Sequence, residues 1–213
     1  VVRSGELPLS ITRDRVGTVE ITSGQKVTAI QYTVNGGKVQ EYESPVLLRD
    51  GGTVSAWYKH APMIKSNAVF TKLESIPVNV IYASSQEPGE GNASHLVDGD
   101  PNTIWHTMYS VTVAKHPHWV DLDVGEIKEI KGFTYLPRHD VDNGNVKDYT
   151  VHVSLDGKNW GTPIREGTFE NNLNEKKVLF ARPVKVRYIR FTALSEQRGQ
   201  DYASGAEITI LEN

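Results

Sequence analysis

Apolar residues recur along this chain at every second position rather than at helical spacing. Trp119-Val120-Asp121-Leu122-Asp123-Val124 alternates strictly, as a strand with one buried face should. Ile130 to Leu136, Tyr149 to Leu155, Lys177 to Phe180 and Val184 to Ala193 read as further strands. In the last of these the alternation slips after Tyr188, where Ile189 and Phe191 take over, which predicts a bulge. Asp156-Gly157 predicts a hairpin turn between Leu155 and the Asn159-Trp160 pair. These segments predict a jelly-roll sandwich of about eight strands.

The same pattern runs through the first third of the chain. Thr18 to Ile21 and Thr28 to Val34 are the clearest early strands, and Asn35-Gly36-Gly37 is a hairpin signal with Val39 to Tyr42 returning. Thr53 to Tyr58 and Ala68 to Leu73 complete a set of about six or seven strands, which predicts a small immunoglobulin-like or fibronectin-like sandwich. Glu74-Ser75-Ile76-Pro77 is the expected joint, because Pro77 lacks a backbone donor and restrains the residue before it. The reading is all-β with two domains, residues 1–75 and 76–213.

Composition narrows the partners. The formal net charge is −3 and the pI near 6.2, which argues against nucleic acid or an anionic membrane as the main partner. No apolar run approaches the roughly 20 residues that cross a bilayer, so no membrane insertion is expected. Cysteine is absent, which removes disulfides and thiolate chemistry. The sequence begins Val1-Val2, and reads as one piece of a larger protein.

One loop stands out, Ala93 to Thr107, which packs Asp98, Gly99, Asp100, Pro101, Asn102 and Thr103 into six consecutive positions. Gly99 tolerates positive φ and Pro101 fixes a turn value, so the chain turns tightly before Trp105. Asp98, Asp100 and Thr103 can turn several oxygens toward one point, as calcium requires. An Asx-rich turn without an ion is the alternative. No motif places two carboxyls across a cleft, and no nucleophile elbow, HExxH or P-loop occurs, so no catalysis is expected here. Trp105, Trp119 and Trp160 are expected in packing roles. His116-Pro117-His118 is expected to be an exposed loop, since a third metal ligand is lacking.

Five segments carry a resemblance across Val80 to Glu212: L-V-D-G-D-P-N-T-I-W-H-T, L-P-R-H-D, N-G-N-V-K-D-Y-T-V-H-V-S-L-D-G-K-N-W, R-Y-I-R-F and A-E-I. This stretch resembles the discoidin-type, galactose-binding carbohydrate-binding modules with the coagulation-factor C-terminal fold. Ile21 to Leu73 resembles the small β-domain after the catalytic barrel of bacterial chitobiases (β-N-acetylhexosaminidases).

The resemblance implies a structural calcium held by the Asp98 and Glu207 carboxylates, the Thr103 hydroxyl and carbonyl, and the carbonyls of His95, Asp100 and Ala206. It implies a sugar site of His106, Arg138 and Asn143, with Tyr109 and Tyr202 as aromatic surfaces and Glu90 at the margin. The segment from Arg138 to Gly144 is a residue shorter than in close relatives, so Asn145 is the substitute for Asn143. Each residue also has a plainer reading, and Arg138 could simply pair with Asp140 or Asp142.

The implied ligand is terminal galactose or N-acetylgalactosamine. The implied covalent partner is the catalytic domain of a bacterial glycoside hydrolase that is secreted, periplasmic or on the cell surface. The rival within the same fold is an adhesion module for protein or lipid surfaces. Those relatives carry apolar loop tips and a disulfide, whereas this chain has His, Arg and Asn on its loops and no cysteine.

Overall fold

The computed structural model describes residues 8–14, 16–24 and 29–213. These hold sixteen strands and one 3-10 turn, and the chain divides into two compact units, Val1–Leu73 and Glu74–Asn213. No helix among the described residues is long and apolar enough to cross a membrane.

The first unit contains β1 (Ser10–Arg13), β2 (Thr18–Thr22), β3 (Ile30–Val34), β4 (Gln40–Glu41), β5 (Val46–Leu47), β6 (Gly52–Tyr58) and β7 (Lys65–Phe70). They form two sheets, ordered β1-β2-β5 and β4-β3-β6-β7. Val19 and Ile21 from one sheet meet Tyr32, Val54, Ala56 and Tyr58 from the other, a small sandwich core. Asn35 at φ 52° and Gly36 at φ 68° make the expected tight turn. The return is delayed, with Tyr32 opposite Gln40, so the returning strand is shorter than the alternation predicted. β7 starts and ends three residues earlier than Ala68 to Leu73 suggested. Thr28 lies outside the described residues.

The second unit contains β8 (Ser75–Ile76), β9 (Asn79–Ala83), a 3-10 turn (Ala93–Val97), β10 (Trp105–His106), β11 (His118–Leu136), β12 (Asp148–Ser154), β13 (Arg165–Thr168), β14 (Lys176–Ala193), β15 (Ser204–Gly205) and β16 (Glu207–Glu212). Two pairs of runs that read as separate strands are each one strand, the 19-residue β11 and the 18-residue β14. They pair along their length with two interruptions. At the first, Val124 to Ile127 stand opposite Arg187 alone, Gly125 takes φ 85°, and Asp123 binds Arg187 across the irregularity. The extra residues lie on β11, while β14 pairs without interruption from Tyr188 to Ala193, so the bulge expected after Tyr188 is found instead in the partner strand. At the second, Phe180 to Pro183 stand opposite Lys131, where Pro183 has no N–H to give the ladder.

The interruptions let the long pair fold over itself. Phe133 pairs with Val178 and Phe191 with Val120, far apart along the ladder, yet their rings lie 5.8 Å apart. Tyr135, Tyr149 and Phe169 stack on the same core, and Trp105 is fully buried. The sandwich is a jelly roll whose loops at one end hold the residues discussed next.

Candidate functional site

Three segments converge beyond the Leu136 end of β11. β10 pairs with β15, setting His106 opposite Ser204. The loop after Leu136 is tied to the same strand, because Ser204 N donates to Gly144 O (2.7 Å) and Ser204 Oγ donates to Asn143 O (3.0 Å). Gly144 makes this approach possible: at φ +80° its Cβ would stand 2.9 Å from Ser204 Oγ and 3.0 Å from Ser204 N.

All six expected sugar-site residues gather here. Asn143 Oδ1 accepts from Arg138 Nη1 at 3.3 Å, and Asn143 Nδ2 faces His106 Nε2 at 3.4 Å. The His106 ring centre lies 5.3 Å from those of both Tyr109 and Tyr202. The Tyr109 hydroxyl donates to Glu90 at 3.0 Å, which raises its pKa. Asn145, the expected substitute, is turned inward at 6% exposure, with a buried Oδ1 that meets no donor. Asn143, not Asn145, is the asparagine that meets Arg138 and His106.

The electrostatics fix which group donates. His106 Nδ1 lies 2.6 Å from the Thr107 carbonyl, which assigns the proton there and leaves Nε2 as an acceptor. Burial, helped by the Arg138 guanidinium, holds this imidazole below its ordinary value of 6.5, against the pull of the Thr107 carbonyl. Arg138 is only 8% exposed and grips Asp140 through Nε and Nη2. That hydrogen bonding pulls the Asp140 carboxyl down to about 2. Of the plainer readings for Arg138, pairing with Asp140 is found, while Asp142 pairs with Arg198. Three of its five N–H groups are used, and two point outside these contacts.

Sequence reasoning missed Glu87, which is buried and accepts from the Tyr109 and Ser110 amides at 2.8 and 3.0 Å. It fixes the backbone that carries Tyr109. A glutamate before Pro88-Gly89 gives no sequence sign of that role.

The acidic loop forms a separate cluster. Asp98 Oδ1 accepts from Asp100 N (2.9 Å) and Oδ2 from the Thr103 hydroxyl (2.8 Å). The Asp100 carboxylate turns to Asn102, so only its carbonyl faces Thr103. The His95 ring is tied to Ile104 O at 2.8 Å. Glu207 is 2% exposed beside Ala206 at the start of β16, and β16 packs on the Ala93–Val97 turn. No group of three or more His, Asp or Glu side chains that could hold a metal occurs among the described residues. The expected donor set uses two carboxylates, one hydroxyl and carbonyls, all oxygen, which is the chemistry of a hard cation such as calcium.

Three other expectations are corrected. His116-Pro117-His118 is not an exposed loop: His118 is buried with Nε2 2.9 Å from Asp201 O, and the two rings lie 4.8 Å apart. The turn at Asp156-Gly157 opens a longer loop, since β12 pairs with Arg165–Thr168 and not with Asn159-Trp160. Trp160 is outside the core, half-exposed in that loop against Arg190.

The F5/8 type C domain pattern matches residues 80–208, and the chain belongs to that family. Its second unit is a carbohydrate-binding module of the family 32 kind. The module CpGH89CBM32-5 of Clostridium perfringens, solved with GalNAc-β-1,3-galactose, is 35% identical with a TM-score of 0.60, over 64% of this chain and 99% of that one. The family 32 module of C. perfringens NanJ, solved with galactose, is 30% identical with a TM-score of 0.58, over 65% and 98%. A sialidase of Micromonospora viridifaciens is 37% identical over 142 residues, 65% of this chain but 22% of the sialidase. The chain thus spans about a fifth of the length of such curated relatives.

Proposed function

We propose that the second unit binds terminal galactose or N-acetylgalactosamine and directs a larger secreted glycoside hydrolase to its glycans. The observation that supports this most is the continuous row Arg138, Asn143, His106, with contacts of 3.3 and 3.4 Å, flanked by Tyr109 and Tyr202. A sugar needs fixed polar groups for its hydroxyls and an aromatic face for its C–H bonds. An axial hydroxyl placed in this row accepts from Arg138 and donates to His106 Nε2. An equatorial epimer leaves both unmet, at a cost of about 1–3 kcal/mol.

Asp98, Thr103, His95, Asp100, Ala206 and Glu207 would hold a calcium ion, whose charge would tie the acidic loop to β16. The first unit, in this reading, is a spacer of the chitobiase type between catalytic domain and module. Weak single-site affinity suits such tethering, because linkage multiplies modest binding.

One observation favours the adhesion alternative: Tyr109, Val111 and Val113 are exposed at 44, 78 and 47% on one loop beside the site. Calorimetry with galactose, glucose and phosphatidylserine vesicles separates the readings. The proposal expects galactose binding in the millimolar to high-micromolar range, about −4 to −6 kcal/mol. Glucose should bind at least about fivefold more weakly. Equal binding of both sugars, or binding to vesicles alone, overturns it.

A further inference from the structure

A cleft of about 450 Å³ opens beside the Ser154 end of β12, lined by Val153, Leu155, Asp156, Asn159, Trp160 and Lys185. Asn143 and Asn145 lie before the Asp148 end of the same strand. Seven residues of β12 place the two sites roughly 20 Å apart along the strand.

The cleft is built rather than incidental. Asp156 clamps its loop by accepting from Lys158 N and Asn159 N (2.9 Å each), Asn159 Nδ2 (2.7 Å) and Ser154 Oγ (2.9 Å). Its oxygens are thereby occupied by the loop's own donors, which hold the carboxyl ionised by lowering its pKa. Trp160 is fixed from behind: the Arg190 guanidinium lies 4.3 Å from its ring centre and 5.4 Å from that of Trp119. Two hydrogen bonds of 2.6 and 2.7 Å hold Arg190 to Asp121. The indole is therefore a rigid platform lining the cleft, so little ordering entropy opposes a ligand on it.

Lys185 lines the same cleft, and its ammonium makes no ion pair or hydrogen bond among the described residues. Asn159 Oδ1 is likewise outside any hydrogen bond described. Leu155, exposed at 57%, extends the apolar wall.

We infer that this cleft is a second ligand site, for a pyranose ring carrying a carboxylate, such as a uronate or sialate unit. The ring's apolar face lies on Trp160, its carboxylate meets Lys185, and Asn159 Oδ1 accepts from a hydroxyl. The volume is that of a small-ligand site. A cation in no ion pair beside an aromatic platform favours an anionic ring over a neutral one, and both Asp156 oxygens, though ionised, are turned to donors of their own loop. None of His106, Arg138 or Asn143 takes part, so this inference and the galactose reading stand or fall separately.

The test is NMR titration of the full chain with methyl β-glucuronide, N-acetylneuraminic acid and methyl β-glucoside, following the four tryptophan indole N–H signals. Trp160→Phe assigns the relevant signal. Either acid should shift the Trp160 signal, and Lys185→Gln should weaken that binding at least about tenfold. Galactose binding and melting should stay unchanged, since Lys185 is a solvent-facing side chain. Three results would overturn the inference: shifts absent from Trp160 with both acids, equal shifts with the neutral glucoside, or full binding by Lys185→Gln.

Discussion

Asn143 stands between Arg138 and His106, accepting from one at 3.3 Å and facing the other's acceptor nitrogen at 3.4 Å. The row is therefore polar in one direction, with donors at the guanidinium end and an acceptor at the imidazole end. A hydroxyl inserted in it has its lone pair and its proton assigned before it arrives.

That polarity predicts a pH limit. His106 has a lowered pKa, chiefly through burial, so it is neutral at pH 7. Galactose affinity should be flat from pH 8 to about 6.5 and be lost as pH falls through the lowered value, when Nε2 gains a proton. Stability should follow the same sign. The unfolded chain protonates its histidines from about 6.5 downward while His106, His118 and His152, all depressed by burial, resist, so melting should fall on acidification. An affinity constant from pH 8 to 4 would show that Nε2 is not the acceptor.

Arg138 and Asp140 should separate binding from stability. Asp140 is 60% exposed, and such a pair contributes about 0–1 kcal/mol. Asp140→Asn should leave melting nearly unchanged but loosen the guanidinium, weakening galactose a few-fold. Arg138→Ala should abolish measurable binding with a small loss of melting temperature. Calorimetry and thermal melting on both variants test this, and strong binding by Arg138→Ala would remove the arginine from the site.

Gly144→Ala should act on both quantities. The positive φ costs a side chain about 1–2 kcal/mol, and the Ser204 contacts at 2.9–3.0 Å add to it. Melting should fall by about 3–8 °C, and galactose affinity should fall with it because Asn143 precedes this residue. Unchanged melting would mean the loop relaxes freely.

Calcium, if held as proposed, binds the folded state alone. At a free concentration one hundred times its dissociation constant it adds about 2.7 kcal/mol. Chelation should lower the melting of the second unit, and Asp98→Ala should lower it without further response to chelator. A chelator-insensitive wild type would leave the acidic loop as a hydrogen-bonded turn.

Strands and fold class were legible because alternation is a local property. Trp119 to Val124 declares its buried face, whereas the slip after Tyr188 pointed to the wrong strand, since the extra residues lie on β11. What local pattern could not give was continuity: nothing between Val124 and Ile130 says that β11 continues through a bulge. That His106, Arg138 and Asn143 come together was legible through the W-H-T, L-P-R and N-G segments. Their partners were not, since Glu87 gains its role from amides 22 and 23 residues away. Trp160 read as packing because its apolar ring gives no sign of which face remains open.

In the second unit, Glu212 N donates to Glu74 O at 2.7 Å, and Ser75 pairs with Leu211. The backbone thus comes in and goes out side by side, at the end of β16 remote from Glu207, Ala206 and the sugar row. A unit with adjacent ends tolerates circular permutation, so new termini cut into an exposed loop such as Lys158 to Thr162 should leave it folded.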